Sequence, residues 1–196
     1  MSNSQITQPI NQDDIDMLNY YYFENAFTPE EIKKIIKLCE GLEINISYTG
    51  DTRTQDRLSR TTVSNLEVNE DTIWIYEKLF VYAEKANQEM GWNFNIEGMT
   101  EDIEYSQYSD NGGHYVWYAD LNNSNYNKLS LTLMLSADVE YSGGKVEYNF
   151  GDDIINSPLD IGGLSIIPSY LLKRTTPILS GVMRTLEISI TGNPFK

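Results

Sequence analysis

Histidine and cysteine are almost absent from this 196-residue sequence, and each scarcity excludes a class of site. Cys39 is the single cysteine, so the chain forms no internal disulfide and no site with several thiolate ligands. His114 is the single histidine. Catalytic zinc and non-haem iron centres usually use two or three imidazoles, so this chain cannot build such a centre from its own histidines.

Basic residues and long apolar runs are scarce as well. The sequence has 14 lysines and arginines against 29 acidic residues, a net charge of -15. A surface this acidic repels phosphate backbones and anionic lipids, so we expect no nucleic-acid and no membrane partner. No apolar run approaches the roughly 18 residues that span a bilayer, and the N-terminus lacks the basic start and apolar core of a secretory leader. The sequence therefore predicts a soluble protein that is not secreted.

The length and the 40% hydrophobic content fit one domain with one sizeable core. Residues 1–20 are rich in Asn, Gln and Asp, and we interpret them as a polar N-terminal arm, either disordered or ordered against a partner. The domain is then expected to occupy residues 21–196. Arg53, Arg57 and Arg60 mark a loop that either contacts a partner or is simply solvated.

Two helices are predicted in the first half of the chain. Thr28 caps the first, Pro29 suits its first position, Glu31 completes a capping box and Gly41 ends it. The helical spacing places Cys39 in the core, as a small hydrophobic residue rather than a reactive thiol. The second helix is predicted over residues 69–90. We expect its buried face to consist of Ile73, Tyr76, Leu79, Phe80, Ala83 and Ala86.

Beyond Gly91 the apolar period changes from that of a helix to that of a strand. Segments such as HYVWYAD, KLSLTLMLS, GKVEYNF and RTLEISITG alternate apolar and polar residues between turn residues, which predicts about seven or eight short strands. Strands that follow helices in this order indicate an antiparallel sandwich or distorted barrel with the helices packed on one sheet. The fold class is therefore mainly β with N-terminal helices.

Several pieces of the sequence carry a resemblance. They include RLSRTTVSNL, IWIYEKLFVYAEKAN, GGHYVWYAD, KLSLTLMLS and GGLSIIPSYLLKRTTPILSG, and they span residues 21–191. In this order they resemble the prolyl 4-hydroxylase branch of the Fe(II)/2-oxoglutarate dioxygenases, especially versions encoded by bacteriophages and bacteria. The resemblance implies a double-stranded β-helix, or jelly roll, in which two packed antiparallel sheets form a cup around the active site. It also implies a location in the host cytoplasm or in a phage virion.

The resemblance assigns the family's ligand places to particular residues. The family binds iron with a His-x-Asp pair and a distal histidine, and these places are Tyr118, Asp120 and Lys173, so only one carboxylate is retained. Ten residues after the distal histidine, the family has an Arg or Lys that pairs with the far carboxylate of 2-oxoglutarate, and that place is Met183, which has no charge. Tyr108 matches a tyrosine that reaches the oxoacid. These are vestigial positions, no residue is assigned as catalytic, and no cofactor is expected.

Two residues are candidates to replace what is missing. His114 shares strand parity with Tyr118 and Asp120, but it lies four residues before Tyr118, about 13 Å along an extended strand, so we expect it to lie beyond reach of a shared metal. Arg184 adjoins Met183, and because neighbouring strand residues point to opposite faces, it would serve only after a slip or bulge. Weak binding of a hard cation by Tyr118 and Asp120 is a third alternative.

The substitutions predict a contact of their own. Burying Asp120 without a partner would be costly, and Lys173 stands where the family has a neutral ligand. We therefore predict an internal ion pair between Lys173 and Asp120, with Tyr118 nearby, that replaces the metal as a structural tie. In the alternative, Lys173 points to solvent and Asp120 is hydrated.

Three functions remain open from the sequence. The substitutions favour a catalytically degenerate dioxygenase-like domain that acts as a structural or protein-binding module, with neighbouring subunits or a phage assembly as partners and the arm as a candidate contact. The alternative is an active hydroxylase with an atypical site, which would use Fe(II) and 2-oxoglutarate. A different enzyme that uses Asp120 and Tyr108 as acid and base has no arrangement of nucleophile and base to support it.

Overall fold

A computed structural model of the chain describes residues 20–47, 61–109, 113–121 and 126–194. The predicted arm lies outside the described residues except for Tyr20, and the three loop arginines at positions 53, 57 and 60 lie outside them too.

Two helices, α1 (Pro29–Cys39) and α2 (Ile73–Glu89), lie in the described part of the chain. The predicted capping box of α1 is confirmed. The Glu31 amide donates to Thr28 Oγ1 at 3.3 Å, and the Thr28 amide donates to the Glu31 carboxylate at 2.7 Å. Lys78 of α2 donates to both oxygens of that carboxylate at 2.7 Å, so the cap of α1 is also tied to α2.

Cys39 is buried at the end of α1, and burial raises the pKa of its thiol to about 12. The thiol is therefore protonated near neutral pH, which confirms Cys39 as a core residue. Neither helix of the described residues has the length and apolar character needed to cross a bilayer.

The buried face of α2 differs from the prediction. Its buried residues are Ile75, Tyr76, Leu79, Ala83, Ala86 and Asn87. Ile73 is 41% exposed, and Phe80 is only partly buried. Both sets have helical spacing, and packing on the sheet selects the set that contains Ile75. The predicted start was also four residues early, because Thr72 Oγ1 donates to the Glu67 carbonyl at 2.6 Å and closes a turn before the helix.

Thirteen strands lie in the described residues. They are β1 (Tyr21–Phe23), β2 (Asn45–Ser47), β3 (Thr61–Leu66), β4 (Ile96–Gly98), β5 (Ile103–Ser109), β6 (Tyr115–Tyr118), β7 (Asn127–Met134), β8 (Tyr141–Gly143), β9 (Val146–Asn149), β10 (Ile154–Asn156), β11 (Leu164–Pro168), β12 (Leu172–Thr175) and β13 (Ile178–Gly192). Ten of them follow Gly91, more than predicted, because β8, β10 and β12 have only three or four residues each and are too short to show a period.

The strands form two antiparallel sheets. The major sheet has the order β1-β11-β7-β13-β5-β3-β2, and β4 and β8 pair with the two ends of the long strand β13. The minor sheet has the order β10-β9-β12-β6. The chain passes repeatedly from one sheet to the other, as in the run from β11 through β12 to β13. This winding is that of a jelly roll, as the sequence predicted.

The two faces of the major sheet differ in polarity. One face packs on the helices and is apolar, and its central residues include Leu133 paired with Leu186. The opposite face looks into the space between the sheets, which we call the cup, and there Thr132 pairs with Glu187. Because successive strand residues point to opposite faces, the same strands build an apolar core on one side and a polar cup on the other.

Candidate functional site

The cup contains a cavity of 610 Å³, which we call the cup cavity. Its walls come from β5 and β13 of the major sheet and from β6 and β12 of the minor sheet. Tyr115 and Tyr118 contribute aromatic rings to its lining. The charged residues that line it are Glu101, Asp102, Glu104, Asp120, Lys173 and Glu187. Among the described residues, five carboxylate side chains therefore line the same cavity as one ammonium group.

Strand β12 holds Lys173 inside the cup. Lys173 pairs with Tyr118 of β6 on one side and with Tyr148 of β9 on the other. The alternation of β12 turns its neighbours Leu172 and Arg174 away from the cup. The side chain of Lys173 is only 5% exposed, which contradicts the alternative in which it points to solvent.

The predicted ion pair between Lys173 and Asp120 is present. Lys173 Nζ lies 2.8 Å from Asp120 Oδ2 and 2.9 Å from Glu187 Oε2, and it lies 5.2 Å from the centre of the Tyr118 ring. We call Lys173, Asp120 and Glu187 the ion cluster. It joins three strands, because Asp120 follows β6, Lys173 lies in β12 and Glu187 lies in β13. The ion cluster therefore ties the minor sheet to the major sheet.

Glu187 collects more of the cup's polar contacts than any residue that the sequence singled out. Its carboxylate accepts from Lys173 Nζ, from Tyr108 Oη at 3.0 Å, from Tyr118 Oη at 3.1 Å and from Thr185 Oγ1 at 3.3 Å. Four donors satisfy both oxygens of this half-buried carboxylate. The two phenols and the ammonium are therefore oriented around Glu187.

The sequence analysis missed Glu187, although a signal for it exists. Leu186 and Ile188 belong to the apolar face of β13, so Glu187 between them points into the cup. Glu187 also lies four residues after Met183, and an even spacing places both on one face of a strand. The site residue Met183 thus indicates that Glu187 shares the cup.

The charged groups of the cup shift one another's pKa values. Burial by itself lowers the pKa of Lys173, but the carboxylates of Asp120 and Glu187 outweigh it and hold that pKa well above its ordinary value. Burial, followed by the negative charge of Glu187, raises the pKa of Tyr108 and of Tyr118 well above the ordinary range. At neutral pH, Lys173 is therefore a cation and both phenols are protonated donors.

Glu104 is the carboxylate on β5 that lines the cup cavity outside the ion cluster. It lies beside Asn65 in the sheet and accepts from Ser106 Oγ at 2.9 Å. Burial raises the pKa of Glu104, and the charge of Glu187 raises it further. The described residues that line the cup cavity therefore carry more negative than positive charge even after Lys173 is counted.

This set of donors does not fit ferrous iron. Iron of the family's kind needs two neutral imidazoles and one carboxylate on one face. Lys173 keeps its proton and so has no lone pair to offer, and its ammonium already occupies oxygens of Asp120 and Glu187. In the described ranges, no group of three His, Cys, Asp or Glu side chains is arranged to hold a metal ion.

The place assigned to the far carboxylate of 2-oxoglutarate is filled by apolar side chains. Met183 and Tyr108 are paired across β13 and β5, and both are fully buried. They pack with Met134 and Ile178, and we call these four residues the apolar plug. The only polar atom that the Tyr108 side chain brings is its hydroxyl, which is bonded to Glu187. The apolar plug therefore provides close packing and no cation for an oxoacid.

His114 lies outside the lining of the cup cavity, and its predicted strand parity was wrong. Tyr115 and Tyr118, three residues apart on β6, pair with Thr175 and Lys173, which are two apart on β12. This β-bulge turns both tyrosines inward and reverses the alternation upstream of it. His114 instead lines a separate cavity of 250 Å³.

Arg184 is not brought to the cup either. Strand β13 runs opposite β5 without a slip from Val182 to Glu187, so the bulge that Arg184 would need is absent there. Its guanidinium Nη1 lies 3.4 Å from Glu140 Oε2. Arg184 therefore faces away from its neighbour Met183, as the alternation of a strand requires.

Comparison with known proteins gives a clear result for the fold. No protein-family profile and no curated protein matches the chain. Solved structures do match. A prolyl hydroxylase from Trichoplax adhaerens, in complex with a peptide fragment of the oxygen degradation domain of hypoxia inducible factor, is 10% identical with a TM-score of 0.73. The match covers 92% of this chain and 86% of that one.

Two further neighbours are a bacterial and a viral protein. A prolyl-4-hydroxylase from Pseudomonas putida is 14% identical with a TM-score of 0.69, and the match covers 92% of this chain and 96% of that one. The viral collagen prolyl hydroxylase of Paramecium bursaria Chlorella virus-1, in its 2OG complex, is 16% identical with a TM-score of 0.61. That match covers 89% of this chain and 97% of the viral one. The chain therefore has the jelly-roll fold of the prolyl hydroxylases and other 2OG-Fe(II) oxygenases.

Proposed function

We propose that this protein is a catalytically degenerate domain with the 2-oxoglutarate/Fe(II) dioxygenase fold, which acts as a binding or structural module. One observation carries the proposal. The ammonium of Lys173 lies 2.8 Å from Asp120, the one carboxylate that the resemblance retains from the iron site. In this proposal the ion cluster does by charge what a metal does by coordination, which is to hold strands of the two sheets together.

The chemistry of the cup supports the loss of catalysis. A cation at the place assigned to the metal repels a divalent ion and offers it no electron pair. The apolar plug has no charge with which to bind the far end of an oxoacid. Both reactants of the family's reaction therefore lose their main source of affinity, and we expect neither Fe(II) nor 2-oxoglutarate to be a cofactor.

We place this module in a phage particle or in a phage complex directed at the host. The support for this is the resemblance to bacteriophage-encoded versions of the fold. A net charge of -15 and a polar N-terminal arm that is a candidate contact are compatible with it. Mass spectrometry of purified particles tests it. Recovery of the protein only from the particle-free fraction of infected cells would remove the virion role.

The decisive experiment measures binding and turnover together. Anaerobic calorimetry with Fe(II) and 2-oxoglutarate, followed by a succinate assay in air, is expected to show no binding and no succinate above a protein-free blank. An active prolyl hydroxylase of the same fold is the positive control. Iron-dependent release of succinate would establish the alternative, an active hydroxylase with an atypical site.

A designed variant tests whether the cup still has the shape of a metal site and lacks only the metal ligands. Changing Tyr118→His together with Lys173→His places two imidazoles beside Asp120, which is the family's ligand set. We expect this variant to bind Co(II), measured by calorimetry and by the visible absorption of the cobalt site. The matched control, Tyr118→Ala with Lys173→Ala, removes the same side chains without adding imidazoles. Equal cobalt affinity in the wild type and the histidine variant would show that Lys173 does not stand in for the metal.

A further inference from the structure

An apolar groove lies beside the cup cavity on the surface of the domain. It has a volume of 390 Å³ and runs between the first turns of α2 and the connection from β4 to β5. Val68 and Ile73 line it and are 55% and 41% exposed. Phe80 and Met99 complete its apolar wall. A site of this kind can hold one large apolar side chain of a partner.

The groove and the cup cavity adjoin each other. Thr100, Glu101 and Asp102, which connect β4 to β5, line both of them. A ligand that lies across these three residues therefore contacts the apolar groove on one side and the cup cavity on the other.

The charge of this joint surface is strongly negative. Besides Glu101 and Asp102, the groove has Glu77 and Glu97 at its edge. The cup cavity adds three carboxylates, and among the described residues the single basic one in the lining of either is the buried Lys173. Because Lys173 is already engaged by the ion cluster, the surplus of carboxylates complements a cationic ligand.

The cup already shows how it accommodates an ammonium group. Lys173 Nζ is held between two carboxylates and lies 5.2 Å from the centre of the Tyr118 ring. Glu104 and the Tyr115 ring offer a second carboxylate and a second aromatic ring in the same cavity. A guanidinium or ammonium group has the donors to engage Glu104 and a charge that is attracted to a tyrosine ring.

We propose that the groove and the cup cavity together bind an extended peptide segment of a partner protein, in which a lysine or arginine lies two residues from a large apolar residue. The apolar residue enters the groove at Val68 and Ile73, and the cationic side chain enters the cup cavity towards Glu104. The main chain crosses Glu101 and Asp102. This inference rests on the proposed function, because a side chain can enter the cup cavity only where a metal and an oxoacid do not occupy it.

The shape and charge of the surface favour a peptide over other cations. Extended residues rise about 3.3 Å each, so side chains two residues apart point to the same face about 6.6 Å from each other and reach adjacent sites such as these. A small cation leaves the groove of 390 Å³ empty, and a nucleic acid is repelled by the carboxylates. The contact area is small, so we expect weak affinity that decreases as salt is added.

The test selects ligands with a bead-displayed library of random octapeptides and the full chain labelled with a fluorophore. We expect the selected peptides to contain Lys or Arg two residues from Leu, Ile, Met, Phe or Val. Fluorescence anisotropy then measures one selected peptide and two variants of it, one with the cation replaced by citrulline or acetyl-lysine and one with the apolar residue replaced by serine. Each change is expected to weaken binding about tenfold or more.

Variants of the protein locate the site. Glu101→Gln with Asp102→Asn removes the charge shared by groove and cavity, and Ile73→Ser removes apolar surface from the groove. Both are expected to weaken the peptide about tenfold. The matched controls are Glu24→Gln with Glu84→Gln, two exposed acids outside both linings, and Val81→Ser, an exposed apolar residue of the same helix. These controls are expected to leave the affinity unchanged.

Each outcome decides the inference. A library that yields no enriched peptide, or one that yields peptides without a cation, overturns it. Equal losses in the test variants and in their controls also overturn it, because the peptide then binds elsewhere. Iron-dependent succinate release would instead refute the proposed function, whereas an inactive protein that selects no peptide would refute the inference alone.

Discussion

The place assigned to the metal and the place assigned to the cosubstrate carboxylate are filled in opposite ways, although one strand supplies both. Strand β13 contributes Glu187 to the ion cluster and Met183 to the apolar plug. The two residues are four apart, about 13 Å along the strand. One end of the cup is therefore held by charge and the other by close packing.

The difference follows from what each place contains. Asp120 is a carboxylate next to a buried site, and a carboxylate there needs a cation. Lys173 provides it, and Glu187 completes the charge contacts. None of the four residues of the apolar plug is charged. The uncharged side chain of Met183 therefore packs there without needing a cation or an anion as partner. One retained carboxylate, Asp120, therefore accounts for the charged contacts at its end of the cup, and the plug without a charged residue is apolar.

Tyr108 connects the two regions. Its ring packs in the apolar plug and its hydroxyl donates to Glu187 at 3.0 Å. An aromatic residue with a polar tip can satisfy both environments at once. Tests that separate charge from packing therefore change the residues on either side of Tyr108 and leave Tyr108 itself in place.

The largest effect is expected from Lys173→Met. This change leaves Asp120 and Glu187 close together without their cation, and removal of one member of a buried ion pair costs about 3–5 kcal/mol of the free energy of unfolding. Urea denaturation at pH 7 measures the loss. The matched control is Arg174→Met, because the adjacent Arg174 pairs with Glu147 at 2.6 Å but its side chain is 36% exposed. For that surface pair we expect a loss of at most about 1 kcal/mol.

Neutralising all three residues of the ion cluster tests whether the cost of Lys173→Met comes from the two carboxylates that it leaves without a cation. The triple variant Lys173→Met, Asp120→Asn and Glu187→Gln is expected to regain most of the lost stability, because no uncompensated charge then remains. Equal costs for Lys173→Met and Arg174→Met would show that the ion cluster is not a structural tie.

In the apolar plug, Met183→Ala is expected to cost about 2–5 kcal/mol of unfolding free energy, because a fully buried side chain is replaced by a cavity. Met183→Leu keeps the volume and is expected to cost less than about 1.5 kcal/mol. Urea denaturation at low and high salt measures both variants. Because the apolar plug has no charged residue, we expect the loss of unfolding free energy in Met183→Ala to be the same at low and high salt. A loss that shrinks in salt would indicate a charge in the plug and would contradict the described packing.

The smallest effect concerns Glu104 and pH. Burial holds the pKa of Glu104 above its ordinary value of 4.5 in the folded state, so the folded state binds this proton more tightly than the unfolded chain does. Its contribution to stability is therefore fully present below the ordinary pKa and is lost as the pH rises through the folded pKa. We expect Glu104→Gln to be more stable than the wild type at about pH 7, and we expect the difference to shrink as the pH falls towards 4.5.

Urea denaturation of wild type and variant across that pH range measures the difference. The control is Glu101→Gln, an exposed carboxylate at the rim of the same cavity. A stability difference for Glu104→Gln that grows on acidification would mean that the folded pKa lies below the ordinary value.

Much of the fold could be predicted because its signals are local. The capping box of α1 depends on Thr28 and Glu31, three residues apart, and both of its hydrogen bonds are present. The alternation in KLSLTLMLS predicts β7, whose apolar leucines face the helices. The Lys173–Asp120 contact was predictable because a buried charge needs a partner and few charged residues are assigned to the cup.

Other features could not be predicted because they depend on pairing across the sheets. The bulge in β6 moves His114 away from the cup, and it exists only in the register between β6 and β12. The choice of Ile75 rather than Ile73 for the buried face of α2 depends on the sheet beneath the helix. The strand β12, which holds Lys173, is too short for a periodic signal.

Local sequence was thus sufficient for a mainly β domain with two helices ahead of most of its strands, for the scarcity of imidazoles and for the pairing of Lys173 with Asp120. The three-dimensional arrangement was needed for Glu187 as the centre of the polar contacts, for the apolar plug around Met183, and for the groove that adjoins the cup cavity at Glu101 and Asp102. The physical reason is one of range. Caps, periods and uncompensated charges are properties of neighbouring residues, whereas strand register and the meeting of two cavities depend on contacts between segments far apart in the chain.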